Sequence, residues 1–329
     1  MIDQWGRKVN YMRISVTDRC NLRCVYCMPL TGVKLGPHDE YLRYEEILRV
    51  VKAAVGLGID RIRVTGGEPL VRQGIVEFLA QLKPLGVTDL SLSTNGLLFA
   101  PMAKDLKAAG VDRVNISLDT LRPDRFTKIA RLSGSPAQVL EAAEAALELG
   151  MEPVKLNMVV IRGWNDDEIG DMARLTLDRP IHVRYIEVMP FSEGYQFTWE
   201  NLVPAAEMRE RLLDEFGDLE PVRGGVRGNG PAKYWRLPGA KGTVGFISAV
   251  TECFCAECNR IRLSADGKVN PCLGHVHEVD LKPVIRDPEK TDDDLRNALA
   301  DAILRKPREH NFDDAESDYV LRVMHGIGG

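Results

Sequence analysis

Nowhere in its 329 residues does the sequence carry an apolar run long enough to span a bilayer. The first residues, Met1-Ile2-Asp3-Gln4-Trp5-Gly6-Arg7-Lys8, lack the apolar stretch of a secretion signal, so the chain is expected in the cytoplasm. Positive charge is not in excess either. With 43 Lys and Arg against 48 Asp and Glu the formal net charge is −5, which argues against nucleic acid or a membrane surface as a partner. Low-complexity tracts and obvious internal sequence repeats are missing as well. With 44% hydrophobic and 28% charged residues, the chain can bury the core of one large domain or two moderate ones. Against these absences stand seven cysteines. In a reducing compartment they are not expected to pair as disulfides, so their clustering points to metal binding or catalysis.

From residue 10 to about 190, short β-branched runs alternate with longer segments of helical period, the cadence of a parallel sheet with helices outside it. Strands are expected at 13–16, 61–65, 89–93, 113–118, 154–160 and 182–188, with helices at 45–57, 74–82 and 136–149. Ser135-Pro136 reads as an N-cap followed by proline at the first helical position, and Asn165 before three acids reads as a second cap. Six βα units are two short of a closed barrel, so the expected fold class is α/β, an open partial (β/α)6 barrel. Ligands then belong beyond the carboxyl ends of the strands. Residues 223–231, Arg-Gly-Gly-Val-Arg-Gly-Asn-Gly-Pro, read as a hinge or linker, which divides the chain into a core at 4–225 and a C-terminal module at 226–329.

Cys20-Asn21-Leu22-Arg23-Cys24-Val25-Tyr26-Cys27 places three thiols on the loop after the first strand. Three thiolates are one short of the four that normally hold a [4Fe–4S] cluster, which leaves one iron open to another ligand. A second group, Cys255-Ala256-Glu257-Cys258 with Cys272, lies in the C-terminal module. By spacing alone Cys255, Cys258, Cys272 and His275 also read as a structural zinc site. Cys253 is a further candidate, although in an extended Cys253-Phe254-Cys255 the two side chains point to opposite sides and both reach one metal only through a turn.

The first spacing, with Tyr26 before its last cysteine, resembles the radical S-adenosylmethionine superfamily. The resemblance implies a [4Fe–4S] cluster on Cys20, Cys24 and Cys27 whose open iron chelates S-adenosylmethionine, and reductive cleavage to a 5′-deoxyadenosyl radical. Gly66-Gly67-Glu68-Pro69 resembles the motif that receives the methionine amino group. The second spacing, followed by Asn259-Arg260-Ile261-Arg262-Leu263, resembles the GTP 3′,8-cyclase family, in which a second [4Fe–4S] cluster binds the guanine of GTP through its open iron. The match runs from Arg13 to the final Gly328-Gly329.

That family resemblance carries over further positions. Tyr26, Gly67, Glu68, Ser117 and Met189 are implied to contact S-adenosylmethionine. Arg13, Arg63, Ser93, Lys155, Arg184, Arg260 and Arg262 are implied to contact GTP, and always-charged guanidinium forks suit a polyphosphate. Arg260, Arg262 and the tail glycines Gly328 and Gly329 are implied to be needed for catalysis. The implied reaction abstracts hydrogen from C3′ of GTP and joins C3′ to C8, giving 3′,8-cyclo-7,8-dihydro-GTP, the first step of molybdenum cofactor biosynthesis. The resemblance further implies delivery of the product to cyclic pyranopterin monophosphate synthase and is compatible with a homodimer; it names no electron donor. The alternatives are a two-cluster radical enzyme with another substrate and a zinc-stabilised binding module.

Overall fold

The structure, a computed structural model, describes residues 1–29, 31–32, 36–189, 198–275 and 277–310. All six expected strands form, with ends within two residues of expectation: β1 (Tyr11–Ser15), β2 (Arg61–Thr65), β3 (Asp89–Thr94), β4 (Arg113–Ser117), β5 (Val154–Val160) and β6 (Ile181–Glu187). The helices that follow them include α1 (Tyr44–Gly56), α2 (Ile75–Ala80), α3 (Phe99–Ala108), α4 (Pro123–Ala130), α5 (Pro136–Glu148) and α6 (Ile169–Asp178). Ser135 Oγ accepts the backbone N–H of Gln138 and caps α5 as expected. Asn165 does not cap. Its side chain accepts from the N–H of Ile161 and donates to the carbonyls of Asp119 and Val159, tying the ends of β4 and β5 together.

Beyond α7 (Ala205–Phe216), the chain adds β7 (Glu220–Pro221), β8 (Lys233–Arg236), β9 (Thr243–Ile247), β10 (Arg260–Leu263), β11 (Lys268–Asn270) and β12 (Val279–Asp280), then α8 (Lys282–Arg286) and α9 (Asp292–Leu304). These strands join the first sheet. Among the described residues the order is β12-β11-β10-β1-β2-β3-β4-β5-β6-β9-β8-β7, with β10 parallel to β1 and β9 parallel to β6. The barrel stays open because β9 and β10 pair outward with antiparallel strands instead of with each other. The expected break at 225/226 falls between β7 and β8, two strands of one ladder.

The strands alternate with period two, and the alternation sorts their chemistry. Met12, Ile14, Ile62, Val64, Leu90, Leu92, Val114 and Ile116 pack outward with helix residues such as Val50, Val51, Leu106 and Ala143 in the main apolar core. Burial of each large aliphatic side chain contributes about 1.5–3 kcal/mol. Arg13, Arg63, Ser91, Arg113, Asn115, Lys155, Asn157 and Arg184 take the opposite parity. The barrel is therefore lined with polar groups. Its lower end is closed by the glycine-rich segment read above as a linker. Asn229 accepts from Arg61 Nη1 at 2.8 Å and donates to Asp89 Oδ2 at 2.6 Å, while the Arg227 carbonyl accepts from Lys155 Nζ at 2.5 Å. Residues 227–229 are thus a plug, pinned by three side chains.

Candidate active site

The loop carrying Cys20, Cys24 and Cys27 is held at the carboxyl end of β1 by several independent ties. The N–H groups of Arg23 and Val25 donate to the carbonyls of Ala130 and Ile129 at the end of α4, and Val25 packs with Ile129, Ile161 and Val188. Just after β3, Asn95 Nδ2 donates to Asn21 Oδ1 at 2.7 Å. The Gly66-Gly67-Glu68 turn docks on the same loop, with Gly67 N–H bonded to the Thr17 carbonyl and Glu68 N–H to that of Arg19. A Cβ on Gly67 would sit 2.4 Å from the Arg19 oxygen, so a side chain there would push the cysteine loop away.

The Glu68 carboxylate does not line the cavity. It is fully buried and accepts from the N–H groups of Leu70 and Asn95 and from Thr94 Oγ1, which fixes the ends of β2 and β3 against each other. Burial pushes it up to about 7, against the pull of those three donors. Burial likewise pushes Cys20 up to about 11 and Cys27 to about 12, and raises Cys24, with the neighbouring thiols reinforcing the shift at Cys24 and Cys27. These shifts favour the protonated thiols, so loading a metal on the loop releases protons.

All three cysteines line one cavity. Tyr26, Gly67, Ser117 and Met189 line the same end. Tyr26 donates to Asp119 Oδ2 at 2.7 Å, and burial raises Asp119 to about 6, with that bond and the Val159 N–H pulling the other way.

Across the cavity, Cys255, Cys258 and Cys272 line the opposite wall. Cys255 opens a single 3-10 turn, Cys258 precedes β10 and Cys272 follows β11. The alternative four-ligand zinc set does not close: among the described residues His275 does not gather with these thiols within 4.8 Å, and it stacks instead on His277 with centroids 6.0 Å apart. A cluster is wider than a single ion, so separated thiols suit it. At Cys258 burial raises the thiol but is outweighed by the charges of Arg260 and Lys306 and by hydrogen bonds, which bring it down to about 7.

Between the two thiol groups lies a set of buried cations. Arg13, Arg63, Arg184, Arg260 and Arg262 line the cavity with Ser93, whereas Lys155 sits just below it against the plug. Asn157 Oδ1 and Asn115 Oδ1 hold Arg184 at 2.8 and 2.7 Å. Burial, then the neighbouring arginines, lower both Arg63 and Arg262 to about 10. Nη2 of Arg63 and the Tyr11 hydroxyl, both on the cavity lining, are buried without hydrogen-bond partners. Such donors are costly to leave unmet, and a polyanion is the group that meets several of them together. Gly328 and Gly329 lie outside the described residues.

Three supporting residues escaped the sequence reading. Lys306 is buried with Nζ donating to the carbonyls of Arg260 and Pro271, beside Cys258 and Cys272. Arg7 bonds the Cys255 carbonyl together with those of Pro307 and Arg308, clamping the C-terminal segment to the second thiol group. Glu187, at the end of β6, accepts from the N–H groups of Ala205, Val250 and Thr251 and from the Thr251 hydroxyl. None belongs to a motif, and their partners are distant in sequence. Glu187→Ala leaves three N–H groups unmet and is expected to destabilise the protein by at least about 3 kcal/mol, at ~1–3 kcal/mol per orphaned group. Denaturant unfolding measures this; a loss under about 1 kcal/mol would mean that the 250–251 loop is held by other means.

Residues 14–176 match the Radical SAM superfamily, and residues 181–312 match Molybdenum Cofactor Synthesis C. The chain is 51% identical to a GTP 3′,8-cyclase of Desulforamulus reducens and 49% identical to one of Heliobacterium modesticaldum, each over the full length of both chains. Its fold is similar to the crystal structure of Streptococcus suis SuiB bound to S-adenosylmethionine, with a TM-score of 0.65 at 13% identity, covering 86% of this chain and 64% of that one. No helix among the described residues is long and apolar enough to cross a membrane.

Proposed function

Starting from a chain that belongs to the GTP 3′,8-cyclase family of the radical S-adenosylmethionine superfamily, we propose that it converts GTP to 3′,8-cyclo-7,8-dihydro-GTP in molybdenum cofactor biosynthesis. The observation that carries this reading is one cavity with a three-thiol group at each end and buried arginines between them. Cys20, Cys24 and Cys27 would hold the first [4Fe–4S] cluster, and Cys255, Cys258 and Cys272 the second. When bound, the first cluster and S-adenosylmethionine supply a 5′-deoxyadenosyl radical that removes hydrogen from C3′.

The chain's own residues position and shield. Tyr26, Gly67, Ser117 and Met189 form the S-adenosylmethionine end, and Glu68 acts by fixing the turn beneath it. Arg13, Arg63, Arg184 and Ser93 take the triphosphate, with Arg260 and Arg262 beside the guanine end, so that C3′ faces the first thiol group. The walls exclude water from the reaction. Gly328 and Gly329 are assigned a catalytic role at the tail: their deletion is expected to leave the iron content unchanged and product formation at least about 100-fold lower, roughly 2.7 kcal/mol of barrier. Full activity of the shortened chain would remove that role. Division into a core at 4–225 and a cluster-bearing module at 226–329, a cytoplasmic location, a homodimer and transfer of product to cyclic pyranopterin monophosphate synthase complete the proposal.

Lys155 gives the site a pH dependence. Burial first, then the charges of Arg184, Arg113 and Arg63, push it down to about 5, so without a polyanion beside it the amine is neutral near pH 7. A triphosphate placed above it favours the charged form and draws in a proton. GTP affinity is therefore expected to fall as pH rises from about 6 to 8, by up to about tenfold per unit. Because the folded value lies below the unfolded one, the same group stabilises the fold least at low pH, so Lys155→Met is expected to leave stability at neutral pH without nucleotide undiminished while flattening the pH dependence of binding. Calorimetric titration across pH checks both; an unchanged slope in the variant would exclude Lys155 as the origin.

The test of the activity is anaerobic turnover with reconstituted enzyme, S-adenosylmethionine and dithionite, followed by chromatography with mass detection. A cyclised nucleotide formed only with GTP supports the proposal. An unchanged nucleotide beside 5′-deoxyadenosine redirects it to another substrate.

A further inference from the structure

One thiol near the second group takes no part in the arrangement above. Cys253 is exposed and does not line the cavity, and an extended Cys253-Phe254-Cys255 would put it on the side opposite Cys255. The backbone instead turns at this point. Cys255 N–H donates to Cys253 Sγ at 3.4 Å, and the 3-10 turn beginning at Cys255 brings both sulfurs to one side. His310 arrives from beyond α9, on the segment that Arg7 clamps to the Cys255 carbonyl. The ligand atoms of Cys253, Cys255 and His310 all lie within 4.8 Å of one another, and they are the only such His, Cys, Asp or Glu group among the described residues.

That spacing belongs to a single ion. Zinc bonds of about 2.0–2.1 Å to His and 2.3 Å to Cys set tetrahedral ligand atoms roughly 3.5 Å apart, within a small side-chain adjustment of this group. Two soft thiolates and one imidazole select zinc or a metal of like softness over magnesium or calcium. We propose that Cys253, Cys255 and His310 form a zinc-binding site that the chain uses when its second cluster is absent. This rests on the assignment of Cys255 to that cluster: the two sites share its sulfur and cannot be filled together. Zinc binding makes two Zn–S bonds and one Zn–N bond and releases the two thiol protons, with no redox change. Cys253 is on the outside, so the ion can enter from solvent, and its departure frees Cys255, which also lines the cavity, for the cluster.

The test uses the full-length apo chain, anaerobically, with Co²⁺ as a spectroscopic probe and Zn²⁺ as competitor. Because Cys20, Cys24 and Cys27 can also take cobalt, the reading is the difference between variants. Cys253→Ala and His310→Ala are each expected to lose one equivalent of thiolate-to-cobalt absorption, whereas Cys258→Ala and Cys272→Ala keep it. Loss in Cys258→Ala and Cys272→Ala with retention in Cys253→Ala would overturn the proposal in favour of an ion on the cluster thiols. A second readout is iron content after reconstitution. Preloaded zinc should lower it by one cluster in the wild type but not in Cys253→Ala. Cys253→Ala that cannot build both clusters would make Cys253 a cluster ligand and also overturn the proposal. If Cys255→Ala still built both clusters, the second-cluster assignment would fall, while the cobalt difference would still decide the ion site.

Discussion

Cys24→Ala is expected to eliminate 5′-deoxyadenosine formation, a fall of more than about 1000-fold, or roughly 4 kcal/mol of lost transition-state stabilisation. Cys24 sits in the middle of the 20–27 loop, where the N–H groups of its neighbours Arg23 and Val25 are held by carbonyls of α4, and no other thiol of the first wall can substitute for it. Cys258→Ala is expected to behave differently. The first wall is untouched, so some S-adenosylmethionine cleavage persists, but the base end of the substrate loses its anchor and cyclised product disappears. The ratio of 5′-deoxyadenosine to product separates the two. Equal product from both variants would sink the division of labour between the walls.

Removing Arg184 should have the next largest effect. Its guanidinium is buried and pre-aimed by Asn115 and Asn157, so it loses little freedom when it meets a phosphate. A charge-assisted hydrogen bond of this kind contributes about 1.5–3 kcal/mol, which makes Arg184→Ala roughly 10- to 150-fold weaker in GTP binding. Arg184→Lys keeps the charge but loses the fork, and is expected to recover only part of the affinity. Binding measured with GTP and with guanosine distinguishes phosphate recognition from collapse of the site. A loss of equal size for guanosine would place Arg184 in the scaffold.

Much of this site could be read before folding because its signals are local. Cysteine spacing marked both thiol groups, and β-branched runs marked β1 to β6. The same alternation that made them strands placed Arg13, Arg63, Lys155 and Arg184 on the inward parity. What escaped was non-local. Nothing in the short segments at Thr243–Ile247 and Arg260–Leu263 tells that they flank β6 and β1, since that is decided by pairing across large sequence separations. Glycines at 224, 225, 228 and 230 suggested a hinge, yet the segment's fate was settled by Asn229, whose amide satisfies Arg61 and Asp89. Glu68 was assigned to the ligand from its motif, and the structure gives its carboxylate to three donors of its own fold. Lys306, Arg7 and Glu187 bond carbonyls and N–H groups, which leave no trace in side-chain patterns.

The central claim is that two thiol groups act on one GTP molecule held between them. It is tested most directly by anaerobic turnover of the reconstituted wild type with GTP deuterated at C3′, following deuterium into 5′-deoxyadenosine beside the cyclised nucleotide. Transfer of deuterium together with a C3′–C8 linked product is the predicted result. Deuterium-free 5′-deoxyadenosine with GTP unchanged would contradict it.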